Sequence, residues 1–139
     1  MKKVILAFLF AAGLFLTAQA HAQSIVIANP GVKATEVSKG DLKDLFTGVS
    51  TGLKGDSNLV PVLLKQGSAN DEFLSEYIGK NDTAFRASWR SLVFSGQATM
   101  PKSLDSESAV VDFVAHNKGA IGYIGKTTPH DGVKVLEVR

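Results

Sequence analysis

The sequence contains no cysteine. That excludes disulfides, thiolate metal sites, a cysteine nucleophile and lipid attachment to an N-terminal cysteine. A chain without thiols also cannot mispair in an oxidising compartment. Metal-ligand spacing is missing as well. His116 and His130 have no partner ligand at helical or hairpin spacing, and Asp105, Glu107 and Asp112 do not form a calcium loop. There is no Gly-x-Gly-x-x-Gly and no P-loop, so no cofactor is expected. Aromatic residues make up 8% of the chain, with one tryptophan. No tract is repetitive or of low complexity, and no segment reads as a linker.

Only one long apolar run is present, at the N-terminus. Lys2 and Lys3 precede Val4 to Leu16, and two small-x-small sites follow, Ala18-Gln19-Ala20 and Ala20-His21-Ala22. This is the three-part pattern of a secretory signal peptide. A run of roughly 13 residues is too short for a bilayer core, which needs about 20. Residues 1–22 are therefore expected to be a cleavable signal, cut after Ala22 or alternatively after Ala20, and the mature protein is expected in the periplasm or outside the cell. The mean hydropathy of +0.11 is inflated by this segment. Without Lys2 and Lys3, the 15 basic residues fall to 13, against 13 acidic ones. A neutral chain with no basic run has no electrostatic reason to bind nucleic acid. Residues 23–139 are enough for one domain with a real core and too few for two.

Along that domain the apolar pattern alternates between short buried strands and amphipathic helices. Ser24 to Asn29 reads as a strand ended by Asn29-Pro30-Gly31. Ser38 or Asp41 caps a short helix through Leu42, Leu45 and Phe46, and Ser50 to Asn58 is a turn-rich loop. Leu59 to Leu64 is a second buried strand, in which Pro61 suggests an edge position or the strand's start. Ser68 followed by Asp71 and Glu72 has the pattern of a capping box. A further helix starts at Asn81 or Asp82, and Ser106 caps the last one. Ala120 to Ile124 and Val133 to Val138 are the final strands. The expected fold is α/β, a mixed sheet with helices packed on it, in the order β-α-β-α-α-α-β-β.

The stretch Lys65-Gln66-Gly67-Ser68-Ala69-Asn70 is the most informative. It reads as strand, tight glycine turn and helix N-terminus. Unpaired backbone N–H groups at the positive end of a helix dipole suit an anion. Gly67 lets an anion approach the backbone, Ser68 adds a hydroxyl, Asn70 an amide and Lys65 positive charge. The other reading is an ordinary capped helix, with Ser68 bonded to its own first turn. Asp71 and Glu72 oppose a bound anion. A serine hydrolase is disfavoured, because no Gly-x-Ser-x-Gly surrounds Ser68 and the candidate bases His116 and His130 lie out of pattern. Trp89, with Phe85 before it and Leu92 and Val93 after it, forms a core stripe rather than a ligand-stacking surface. Arg86 and Arg90, four apart, form a solvated face or an anion or partner surface.

Several segments together resemble one family. Ser24 to Pro30, followed by Asp41-Leu42-Lys43-Asp44-Leu45-Phe46-Thr47-Gly48, resembles the opening of the second lobe of phosphate-type periplasmic substrate-binding proteins. Lys65-Gln66-Gly67-Ser68 falls where those proteins carry an arginine and a Gly-Ser-Gly-Thr phosphate loop. Gly119-Ala120-Ile121-Gly122-Tyr123-Ile124 is similar to a strand near their C-terminus, and Trp89 to Gly96 with Pro101 resembles a short single-lobe subgroup. The resemblance implies a single-lobe, periplasmic-binding-protein-like domain and not an enzyme. The implied ligand is phosphate or a related oxyanion, held at Lys65, Gly67, Ser68, Ala69 and Asn70. The implied partner is an ABC transporter permease or another envelope protein, and the alternative role is a non-transporting interaction module. The sequence departs from the family at Ala69-Asn70, which replaces Gly-Thr, at Lys65, which replaces arginine, and in lacking the first lobe.

Overall fold

The computed structural model describes residues 23–139. The signal-peptide reading of residues 1–22 lies outside the described residues. Six strands form one mixed sheet: β1 (Ser24–Ala28), β2 (Glu36–Val37), β3 (Val60–Leu64), β4 (Lys102–Leu104), β5 (Ala120–Gly125) and β6 (Lys134–Val138). Their spatial order is β2-β6-β1-β5-β3-β4. Strand β1 runs antiparallel to both neighbours, pairing Ile25 with Ile124 of β5 and Val26 with Leu136 of β6. Strand β3 is parallel to β5 and to β4.

Four helical segments cover the sheet: α1 (Lys39–Phe46), α2 (Ser68–Phe73, continuing as a π turn over Leu74–Ile78), α3 (Asp82–Phe94) and α4 (Glu107–His116). Adjacent residues of a strand point to opposite faces, and β5 shows what each face meets. A Cβ placed on Gly122 would touch Val110 and Val114 of α4, whereas the Tyr123 ring stacks on Phe73 of α2 at 3.9 Å between centroids. Helix α4 therefore covers one face, and α2 covers the other. Every residue of β5 is buried, as expected of a strand covered on both sides. Helices α1 and α3 share the α2 face. Phe46 of α1 meets Phe73 edge-on at 5.0 Å, and Trp89 of α3 donates its Nε1–H to the Phe46 carbonyl at 3.0 Å. Burying side chains such as Phe46, Phe73 and Leu63 contributes about 1.5–3 kcal/mol each before the entropy of ordering is set against it.

The mixed α/β architecture is the one expected from the apolar pattern, with two short strands, β2 and β4, added. Ser38, Asn81 and Ser106 cap α1, α3 and α4, each accepting an N–H from three residues on. Pro61 sits at the start of β3. Strand β4 begins opposite Val62, so the donor that proline lacks has no partner to miss. The capping box at Ser68 is corrected. The chain turns at Gly67, whose φ of +109° is open to glycine, so Gly67 takes the cap position and Ser68 becomes the first helical residue, with no side-chain cap bond. The end of α2 widens into a π turn, closed by the N–H of Gly79 bonding the Leu74 carbonyl at 2.7 Å. Among the described residues, no helix is long and apolar enough to cross a membrane.

Candidate functional site

Strand β3 ends at Leu64, and the segment Lys65–Gly67 carries the chain over its carboxyl end into α2. Lys65, Gln66, Gly67 and Ser68 are exposed, whereas Ala69 and Asn70 are buried, 4% and 1% exposed. No heavy atom lies within 4 Å of where a Cβ would stand on Gly67, so the backbone there is open to approach. No side chain caps α2, and the first backbone bond of the helix runs from the Asp71 N–H to the Gly67 carbonyl at 3.0 Å. Among the described residues, the amides of Ser68, Ala69 and Asn70 thus have no protein acceptor. The Lys65 ammonium meets Asp105 at 2.9 Å. With side chains 54% and 83% exposed, this surface pair is a weak tether.

Beneath the turn, five residues close a ring of hydrogen bonds. The Leu64 N–H donates to the Tyr123 hydroxyl at 3.1 Å, and that hydroxyl donates to Asn70 Oδ1 at 2.5 Å. Asn70 Nδ2 donates to Asp82 Oδ1 at 2.9 Å. Arg86 Nε donates to both Asp82 oxygens at 3.0 Å, and Arg86 Nη2 returns to the Leu64 carbonyl at 2.7 Å. Arg86 Nη1 also reaches Ser103 Oγ on β4 at 3.0 Å. Both backbone polar groups of Leu64 are therefore held, and Asn70 ties the first turn of α2 into the same circuit. The order of donors around the ring fixes which way the Asn70 amide faces.

The ring tunes its own members. Burial pushes the Tyr123 hydroxyl up to about 12, outweighing the opposing bond from Leu64 and the nearby Arg86 charge, so it stays a donor across the working pH range. For Asp82, burial raises the pKa, but the bonds from Arg86 and Asn70 outweigh it and hold the carboxyl below its usual value. Asp82 and Arg86 thus stay oppositely charged, and the ring carries no net charge under the turn.

Of the residues singled out in the sequence, Lys65, Gly67 and Ser68 are exposed at the turn, whereas Ala69 and Asn70 are buried in the first turn of α2 and bring to it only backbone N–H groups without a protein acceptor among the described residues. The Asn70 side chain faces inward, into the ring. Arg86 also turns inward, with a side chain 17% exposed, while Arg90 stays on the surface. Asp82, Arg86 and Tyr123 were not assigned to this site from the sequence. The signal for two of them was the spacing of Asp82 and Arg86, four apart on one helix. His116 bonds the carbonyl and carboxylate of Asp112 on the surface of α4, and His130 bonds the Thr128 carbonyl; neither bonds Ser68. Trp89 is a core residue, 4% exposed. Among the described residues, no group of three or more histidine or acidic side chains is placed to hold a metal.

Solved structures supply the comparison. An ABC-type phosphate transport receptor from Vibrio cholerae superposes with a TM-score of 0.62 at 16% identity, over 84% of this chain and 46% of the receptor. A putative phosphate ABC transporter substrate-binding protein from Clostridium perfringens, solved with bound phosphate, gives a TM-score of 0.56 at 22% identity, over 84% and 44%. PstS from Borrelia burgdorferi gives 0.55 at 18% identity, over 84% and 47%. The chain shares its fold with these proteins. It spans less than half the length of each of them. No protein-family model matches the sequence, and no curated protein matches it.

Proposed function

We propose that the chain is an exported solute-binding module, without catalytic activity, that takes phosphate or a related oxyanion and serves phosphate uptake alongside an ABC transporter. One observation carries this reading: the uncapped first turn of α2 opens over Gly67, at the carboxyl end of strand β3, in a fold shared with phosphate-transport receptors. In open α/β sheets, ligands bind beyond the carboxyl ends of strands. The amides of Ser68, Ala69 and Asn70 would bind the anion, joined by the Ser68 hydroxyl. Lys65 would release Asp105 and add charge. Export follows from residues 1–22 read as a signal peptide.

The chain spans less than half the length of the receptors that share its fold. Two-lobed binders close around their ligand with donors from both sides. Each charge-assisted bond contributes about 1.5–3 kcal/mol, so this lobe is expected to hold phosphate more weakly alone than when a second wall closes on it. Titration calorimetry of the processed protein with phosphate, sulfate and nitrate tests the reading. Saturable phosphate binding that weakens in Ser68→Ala supports it. A folded sample that takes up none of the three anions overturns it.

A second reading is a non-transporting interaction module of the envelope. Phe94, at the end of α3, is 92% exposed. At the end of β3 away from the turn lies a groove of about 470 Å³, walled by Val60, Pro61, Trp89, Met100 and Pro101. Apolar surface of this kind marks contact sites. Cross-linking in intact cells distinguishes the two: this reading expects one defined partner that disappears in Phe94→Ser, and the absence of any such partner removes it.

A further inference from the structure

We infer that Arg86 is the positioning residue of the anion-binding turn: through Asp82 and the Leu64 carbonyl it holds the turn in its binding shape before any ligand arrives. The inference rests on the reading of that turn as the oxyanion site and adds how the site is kept ready.

Three observations carry it. The guanidinium is already committed, since Nε is shared between the two Asp82 oxygens, Nη1 is on Ser103 and Nη2 is on the carbonyl of Leu64, with that of Lys65 at 3.4 Å. A group bonded this fully acts through what it holds. The places it holds are the last residue of β3, the neighbouring strand β4 through Ser103, and, by way of Asp82, the Asn70 side chain at the start of α2. These are the supports from which the exposed segment Lys65–Ser68 is hung. The ring also pairs Asp82 with Arg86 directly, so the positive charge of Arg86 is balanced where it sits and the pull on an incoming anion is left to the amides and Lys65. A planar fork with donors in fixed directions suits this task, and a lysine ammonium cannot reproduce it.

Binding is strongest when donors are held in place beforehand, because the ligand then does not have to order them. Loss of Arg86 is therefore expected to loosen the turn and weaken binding even though the ligand-facing amides remain.

The test compares native protein with Arg86→Lys, Arg86→Gln and Lys65→Met. It measures phosphate affinity by calorimetry at several salt concentrations, and hydrogen exchange without ligand of the bonded amides that flank the turn, Leu64, Lys65 and Asp71. Tyr123→Phe is the second route to the same ring should the Arg86 variants fold poorly. The expected result is a loss of about tenfold or more in affinity in both Arg86 variants. It is accompanied by faster exchange at Leu64, Lys65 and Asp71 and an unchanged salt dependence, while Lys65→Met reduces the salt dependence and leaves exchange slow. Affinity that survives in a loosened Arg86 variant overturns the inference. So does a loss that Arg86→Lys rescues together with a reduced salt dependence in Arg86→Gln, which would place Arg86 on the ligand itself. A native protein that binds no phosphate overturns the functional reading and this one with it, whereas native binding with unaltered Arg86 variants overturns this one alone.

Discussion

The Tyr123 hydroxyl bonds two residues that lie 59 and 53 positions before it in the chain, accepting the Leu64 N–H at 3.1 Å and donating to Asn70 Oδ1 at 2.5 Å. Its ring is fully buried and stacked on Phe73, so removing only the oxygen leaves the packing intact. Tyr123→Phe strands one buried donor and one buried acceptor, each of which costs about 1–3 kcal/mol when left unmade. Urea unfolding should show a lower midpoint with an unchanged slope. Asn70→Ala, which opens the same ring, should add less than its own effect when combined with Tyr123→Phe, because the two act on one circuit.

The ring also explains what the sequence did and did not reveal. Strands β1, β3 and β5 are almost wholly apolar, and α1, α3 and α4 carry their cap residues in plain view. Strand β4 is Lys-Ser-Leu and β2 is Glu-Val, too short and too polar for any periodicity; they are strands because β3 and β6 offer them open edges. The turn at Gly67 was legible because glycine and a polar helix start announce it locally. The role of the Asn70 side chain was not. Its partners Asp82 and Tyr123 lie 12 and 53 residues away, so a polar residue in a polar stretch reads as a surface donor until the sheet brings Tyr123 beneath it.

Asp82 makes the ring sensitive to acid. Its folded pKa lies below the ordinary value of 3.8, so the unfolded chain takes up a proton first as pH falls. Its contribution to stability is complete above 3.8 and is lost as pH falls through the lower folded value. Asp82→Asn should therefore flatten part of the acid limb when unfolding midpoints are compared from about pH 5 to about pH 2. A limb identical to that of the native protein would show that other carboxylates set the acid response.

Gly48 closes α1 against α3 at close quarters. Its φ is +80°, and a Cβ there would stand 2.7 Å from Leu92 Cδ1 and 3.2 Å from the Trp89 ring. Gly48→Ala combines left-handed strain with overpacking, each costing about 1–3 kcal/mol. The displaced ring would loosen the bond from Trp89 Nε1 to the Phe46 carbonyl, so a shift in tryptophan emission should accompany the lowered melting temperature. The chain has one tryptophan, which makes the signal unambiguous.

Ser68 and Ser106 both stand at helix starts, but only Ser106 makes a cap bond. Ser106 Oγ accepts the Ala109 N–H at 3.1 Å and caps α4, so Ser106→Ala should cost about 1 kcal/mol. Ser68 is exposed, lies one residue inside α2 and makes no cap bond, and alanine is the better helix former there. Ser68→Ala should therefore leave the melting temperature unchanged or slightly raised. That separates the two roles a hydroxyl can have at a helix start. If phosphate affinity falls in Ser68→Ala while stability does not, the lost interaction is one made with the ligand. If stability falls by as much as in Ser106→Ala, the hydroxyl holds the helix after all, and the anion must be held by the backbone amides alone.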